Sequence, residues 1–185
     1  TDSEVCAIIT NYATHPTILG ADNFELSAEW PGALQDGIEA AFPGAVALYT
    51  NGAEGDQAPA GAQGENDFDR VLDFGARLAN EAIALARSID LKPATIGFAS
   101  HDAVLGEPRF SEAARNGRYA FMHPMAMEAL PRHAELQQFR IGDAVLAALP
   151  GEPVAEVGQN TAAALVAVGA KSAVTVGLAN DYVGY

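Results

Sequence analysis

Short apolar runs rich in β-branched residues alternate along this chain with longer segments whose apolar positions recur at helical spacing. Residues 5–9 (Val-Cys-Ala-Ile-Ile) and 45–49 (Ala-Val-Ala-Leu-Tyr) are continuous apolar runs of strand length, and they predict buried strands. Between them Ala33, Leu34, Ile38, Ala41 and Phe42 predict a helix over 31–41, opened by Pro31 and stopped by Pro43-Gly44. The longest helix is expected from a cap at Asn66 or Asp67 to about residue 88. Phe68, Val71, Leu72, Gly75, Leu78, Ala79, Ala82, Ile83 and Ala86 form one stripe there, and its small residues predict close packing on a neighbour. Residues 94–104 predict a strand with partial alternation, and 136–141 and 144–149 a hairpin around Gly142-Asp143. A helix over 154–168, closed by Gly169, and a last buried strand over 172–178 complete the pattern. Such alternation predicts an α/β fold, a layered, mixed β-sheet flanked by helices. The chain reads as a single domain over 1–185 and as part of a larger one. Residues 107–132 break the pattern, with all three methionines among charged and aromatic residues. They read as an excursion that serves as a surface insertion or as a lid over an apolar groove.

Three predicted strands run directly into loops rich in polar residues. The first leads to Asn11-Tyr12-Ala13-Thr14-His15-Pro16-Thr17, the second to Asn51-Gly52-Ala53-Glu54-Gly55-Asp56-Gln57-Ala58-Pro59, and the second hairpin strand to Pro150-Gly151-Glu152-Pro153. Strand ends of this kind are where α/β proteins place chemistry, because the sheet fixes the loop and glycine lets backbone approach a ligand. These ends are expected to meet at one site. His15, Asp56, Glu152 and Tyr182 or Tyr185 then supply one imidazole, carboxylates and phenols, the donor types of a catalytic zinc centre. Zinc at such a centre polarises a carbonyl and activates water for amide or ester hydrolysis.

Composition narrows the field. A net charge of −14 makes nucleic acid and anionic membrane surfaces poor partners. No apolar run is long enough for an integral membrane segment. The single cysteine, Cys6, excludes an internal disulfide or a Cys-rich metal site and reads as a small core residue. The glycines after the second strand lack the Gly-Lys-Ser/Thr of a phosphate-binding loop, and no Gly-x-Ser-x-Gly of a serine hydrolase occurs.

Four motifs, in order, resemble the neutral/alkaline ceramidase family. They are residues 11–17, residues 51–59, Pro150-Gly151-Glu152 and the closing Gly177-Leu178-Ala179-Asn180-Asp181-Tyr182-Val183-Gly184-Tyr185. The resemblance implies a ceramidase-like catalytic domain, here incomplete, in a zinc-dependent amidase that splits ceramide into a sphingoid base and a fatty acid. It implies zinc ligation by His15, Glu152 and Tyr185, with a first histidine upstream of this chain. Asp56 is expected to orient a ligand or to fix its loop, and Asn51, Gly52, Gly55 and Tyr182 to line the substrate. The partner implied is a small-molecule N-acyl or lipid-like substrate. Self-association stays open, and by resemblance the protein would be secreted or periplasmic. In place of the family's Gly-Asp-x-Ser-Pro stands Gly55-Asp56-Gln57-Ala58-Pro59, so the usual serine is Ala58. The alternative is therefore a non-catalytic, ceramidase-like binding domain.

Overall fold

A computed structural model describes residues 5–184 other than 108, 111 and 119. Strand β1 (Ala7–Tyr12) leads to helix α1 (Glu29–Ala41), then β2 (Val46–Asn51) and the long α2 (Asp67–Ser88). Strand β3 (Ile96–Val104) is followed by the short α3 (Glu112–Arg115), a 3-10 turn (Ala120–Met122) and α4 (His123–Ala129). Strands β4 (His133–Ile141) and β5 (Ala144–Ala148), helix α5 (Ala155–Ala167) and β6 (Ser172–Val176) close the order. The expected α/β layering is present, with its strands divided between two sheets. Strands β1 and β2 pair in parallel, while β3, β4, β5 and β6 form a second, mixed sheet in that order.

The core sits where α1 and α2 cover one face of the β1–β2 pair. Trp30, Leu34, Ile38, Ala47, Phe74 and Ala79 are buried together there. Trp30 lies fully inside, its ring edge-to-face with Tyr49 at 5.0 Å and with Phe74 at 5.4 Å. The small residues of the α2 stripe act as expected. A Cβ on Gly75 would lie 2.5 Å from Ala33 Cβ and 2.6 Å from Trp30 O, so this glycine lets the two helices touch through backbone. The cap of α2 is Asn66, whose side chain accepts the Asp69 N–H at 3.0 Å.

Burial expectations fail in several places, as in β2, where Val46 and Leu48 stay 53% and 45% exposed. The first strand is not enclosed: among the described residues β1 pairs only with β2, and Ile9 stays 50% exposed. Cys6, expected in the core, is exposed just ahead of β1. An apolar run sets strand propensity, but which face is covered depends on neighbours that the run does not specify.

The hairpin forms as expected, with β4 and β5 antiparallel from Ile141 opposite Ala144. Gly142 takes the first turn position at φ +59°, a conformation that favours glycine. The excursion joins the far ends of β3 and β4, whose last pair is Val104 with His133. Among the described residues no helix is long and apolar enough to cross a membrane.

Candidate active site

The parallel pairs β1–β2 and β5–β6 end close together, and their backbones are sewn across the gap between the two sheets. Gly177 N–H, just past β6, donates to Asn51 O at the end of β2 (3.0 Å). The Asn11 side chain on β1 donates to Thr175 O on β6 (2.9 Å), and to Thr50 Oγ1 (3.1 Å) and Asn51 O (3.2 Å) on β2. The strand ends that carry His15, the Asn51–Pro59 loop and Glu152 thus form one rim, as their sequence pattern predicts.

Backbone contacts fix each loop of that rim. His15 N–H donates to Gln57 O (3.1 Å), and the buried Trp30 indole N–H donates to His15 O (3.2 Å). Gly55 N–H donates to Pro153 O (2.9 Å). A Cβ on Gly55 would stand 2.4 Å from Glu152 O, and one on Gly52 2.8 Å from Ala13 Cβ. These two glycines, expected to line a substrate, have protein backbone or side chain where a Cβ would sit. Gly151, at φ +81°, turns the chain into Glu152, and Leu178 N–H donates to Gly151 O (2.8 Å). Leu178 (φ +53°) and Asn180 (φ +68°) take left-handed backbone in the facing loop, a local strain that the surrounding contacts hold.

His15 Nε2 lies 3.5 Å from Glu152 Oε2, and both side chains are largely covered. The other carboxylate oxygen, Glu152 Oε1, accepts the Tyr182 hydroxyl at 3.1 Å. Two donors on one tetrahedral zinc, each about 2.0–2.2 Å from the metal, stand about 3.3–3.6 Å apart. The His15–Glu152 spacing fits a shared ion. Among the described residues no three His, Cys, Asp or Glu side chains form a complete metal-holding group. Tyr185 lies outside the described residues.

Two acids of one loop have opposite surroundings. Asp56 is exposed, and its Oδ1 accepts the Ala155 N–H at the start of α5 (2.8 Å) and the Gln57 side-chain amide (3.0 Å). The Gln57 bond first, and the Ala155 bond next, hold its carboxyl below the usual range. Asp56 thereby ties the loop to the first turn of α5. Glu54 is fully buried, and neither carboxylate oxygen has a hydrogen-bond partner among the described residues. Burial pushes its carboxyl up and the nearby Glu152 adds to the shift. The nearness of the Glu54 backbone N–H, and then of His15, opposes it. The Thr14 hydroxyl, next to His15, is likewise buried with no partner among the described residues.

Asn51, expected at the substrate, accepts the Tyr49 hydroxyl on its Oδ1 (2.7 Å), and its carbonyl serves the sheet junction. Sequence reasoning assigned no role to Asn11, Trp30 or Glu54. Asn11 stood inside a quoted motif, and Glu54 sat between Ala53 and Gly55 in a loop otherwise tight with small residues. An acid in such a place was the available signal.

The arrangement is an α/β fold with a polar rim where parallel strands end. No family model matches the chain, and no curated protein sequence matches it. Among solved structures the chain shares the fold of a ceramidase complexed with C2, at 18% identity and TM-score 0.70 over 97% of this chain and 40% of that one. It shares it also with the neutral ceramidase from Pseudomonas aeruginosa, at 18% identity and TM-score 0.66 over 96% of this chain and 38% of that one. The chain therefore spans about two fifths of the length of these structures.

Proposed function

We propose that this chain is part of the catalytic domain of a zinc-dependent amidase of the neutral ceramidase type. Its substrate would be an N-acyl lipid whose linear amide is split into an amine and a carboxylic acid. The observation that carries the reading is the 3.5 Å approach of His15 and Glu152 at a rim of parallel strand ends. The order of the four motifs and the ceramidase-like fold support it. His15, Glu152 and Tyr185 would hold the zinc, together with a histidine from outside this chain. When bound, zinc polarises a carbonyl and lowers the pKa of water to about 7.

The chain's own residues prepare that site. The Tyr182 hydroxyl fixes the rotation of the Glu152 carboxylate and leaves Oε2 toward His15. Gln57 and Trp30 hold the His15 backbone, so the imidazole does not have to be ordered when substrate arrives. Asp56 keeps the Asn51–Pro59 loop against α5 as one wall. Ala58 has no hydroxyl and cannot attack, so water supplies the nucleophile: its oxygen joins the acyl carbon, the C–N bond breaks, and the amine leaves with a proton. Asn51, Gly52, Gly55 and Tyr182 would face the substrate only along the open side of this wall.

The test uses the full-length protein, its zinc content and its turnover of N-acyl sphingoid substrates. Bound zinc, chelator-sensitive amide cleavage, and loss of both in His15→Ala and Glu152→Gln are expected. A zinc-free protein, or a His15→Ala variant with intact amidase activity, sinks the reading. Ala58 favours a second reading, a ceramidase-like binding domain without activity. Chelator-sensitive turnover excludes it, and substrate binding without turnover supports it.

A further inference from the structure

The most unusual group beside the proposed metal ligands is Glu54. A fully buried carboxylate is tolerated when it is hydrogen-bonded, paired or next to a cation. The Glu54 carboxylate has no hydrogen-bond partner among the described residues. The backbone lies close to it: a Cβ on Gly177 would stand 2.7 Å from Oε2 and 3.3 Å from Oε1. The carboxylate is thus clamped against the backbone that follows β6, and the same segment donates Gly177 N–H to Asn51 O. Its neighbour in sequence, Gly55, is pressed onto the Glu152 carbonyl, and its loop is bonded to His15 through Gln57. Glu54 therefore sits in the loop whose backbone is bonded to both the His15 and the Glu152 segments, within electrostatic reach of both side chains.

We infer that Glu54 is a positioning residue for the metal, a buried negative charge that raises the site's affinity for a dication without being one of its direct ligands. The inference rests on the zinc reading above. Two carboxylates, Glu54 and Glu152, repel across a poorly solvated space when no cation lies between or beside them. A dication relieves both the repulsion and the missing solvation of Glu54. The charge thus destabilises the metal-free protein and favours the loaded one. An acid with a purely structural role would do neither. The unpartnered Thr14 hydroxyl on the opposite loop is consistent with a site whose polar groups are arranged for an occupant.

The test compares full-length wild type with Glu54→Gln, which keeps size and shape and removes the charge, and with Glu54→Asp, which keeps the charge. Zinc affinity is read by competition with a chromogenic chelator, and metal-free stability by thermal melting. Cobalt substitution reports on the ligand set. For Glu54→Gln, zinc affinity falls roughly tenfold or more, as when a group behind the ligands is removed. Its metal-free melting temperature rises, and its cobalt spectrum keeps the wild-type coordination number. Glu54→Asp recovers most of the affinity. If wild type binds zinc and Glu54→Gln binds it equally well, the inference is overturned while the amidase reading stands. If wild type binds no zinc, the amidase reading itself fails. A Glu54→Gln protein that does not fold, or melts lower without metal, overturns the inference by showing a structural need for the acid. A changed cobalt coordination number also overturns it, since Glu54 would then be a direct ligand.

Discussion

At the rim where β1, β2, β5 and β6 end, loops far apart in sequence hold one another in place. Gly177 bonds Asn51, Gly55 bonds Pro153, His15 bonds Gln57, and Asn11 reaches three strands from one side chain. The excursion between β3 and β4 is built from local contacts instead. Its base is closed by Leu105 N–H on Arg132 O (2.8 Å), Arg132 reaches Met127 O (3.3 Å), and Phe110 stacks on His123 at 4.3 Å. Phe121 and Met125 remain 79% and 64% exposed. At the rim a Cβ on Gly52, Gly55 or Gly177 would meet its neighbours under 3.0 Å, whereas the excursion leaves large apolar side chains in solvent. A site that must hold ligands to fractions of an ångström belongs on the first kind of scaffold. Adaptable contact with a flexible apolar molecule suits the second.

Breaking the rim at its tightest point should cost most. Gly55→Ala places a methyl group 2.4 Å from Glu152 O, where only backbone can yield. We expect a loss of about 2–3 kcal/mol, as for overpacking, with loss of zinc binding, read by chemical denaturation and metal analysis. A variant as stable as wild type would show that the two loops can part freely. Asn11→Ala removes its bond across the sheets to Thr175 O and its bonds to Thr50 Oγ1 and Asn51 O within the first pair, and leaves Thr175 O short of a donor. The expected loss is about 1–3 kcal/mol, seen as an earlier denaturation midpoint with an unchanged slope.

The two acids of the loop sharpen the contrast through pH. Glu54 has its folded pKa raised by burial, so its favourable contribution is present below the ordinary carboxylate pKa and lost as pH rises through the folded value. Metal-free wild type should therefore fall further below Glu54→Gln in melting temperature as pH rises from the carboxylate range. Asp56 has the opposite sign. Its pKa is lowered by Gln57 and Ala155, so its contribution is present above the ordinary carboxylate pKa and lost as pH falls through the lowered one. Asp56→Ala should melt slightly earlier than wild type at neutral pH, and the gap should close in acid. The smallest effect belongs to the excursion: Phe121→Ser, at an exposed position, should leave stability within about 0.5 kcal/mol. A larger loss there would mean that the excursion is packed as tightly as the rim.

Apolar periodicity placed every strand and the three longer helices to within a few residues, because period and propensity are local properties. The sequence also placed the cap of α2 at Asn66 or Asp67 and the turn at Gly142-Asp143, of which the structure uses Asn66 and sets Gly142 at positive φ. The strand ends with their loops pointed to the rim for the same reason. What the chain could not give locally was burial. Cys6 and β1 read as interior and are not, since the cover over an apolar run comes from other elements.

His15, Glu152 and their loops are written in the sequence as motifs. Only the tertiary structure brings them to 3.5 Å, through hydrogen bonds between segments more than a hundred residues apart. It also separates two acids that look alike in one loop. Asp56 turns outward to α5, while Glu54 turns inward. Their chemistry differs because solvation and partners, not residue type, set what a carboxylate can do.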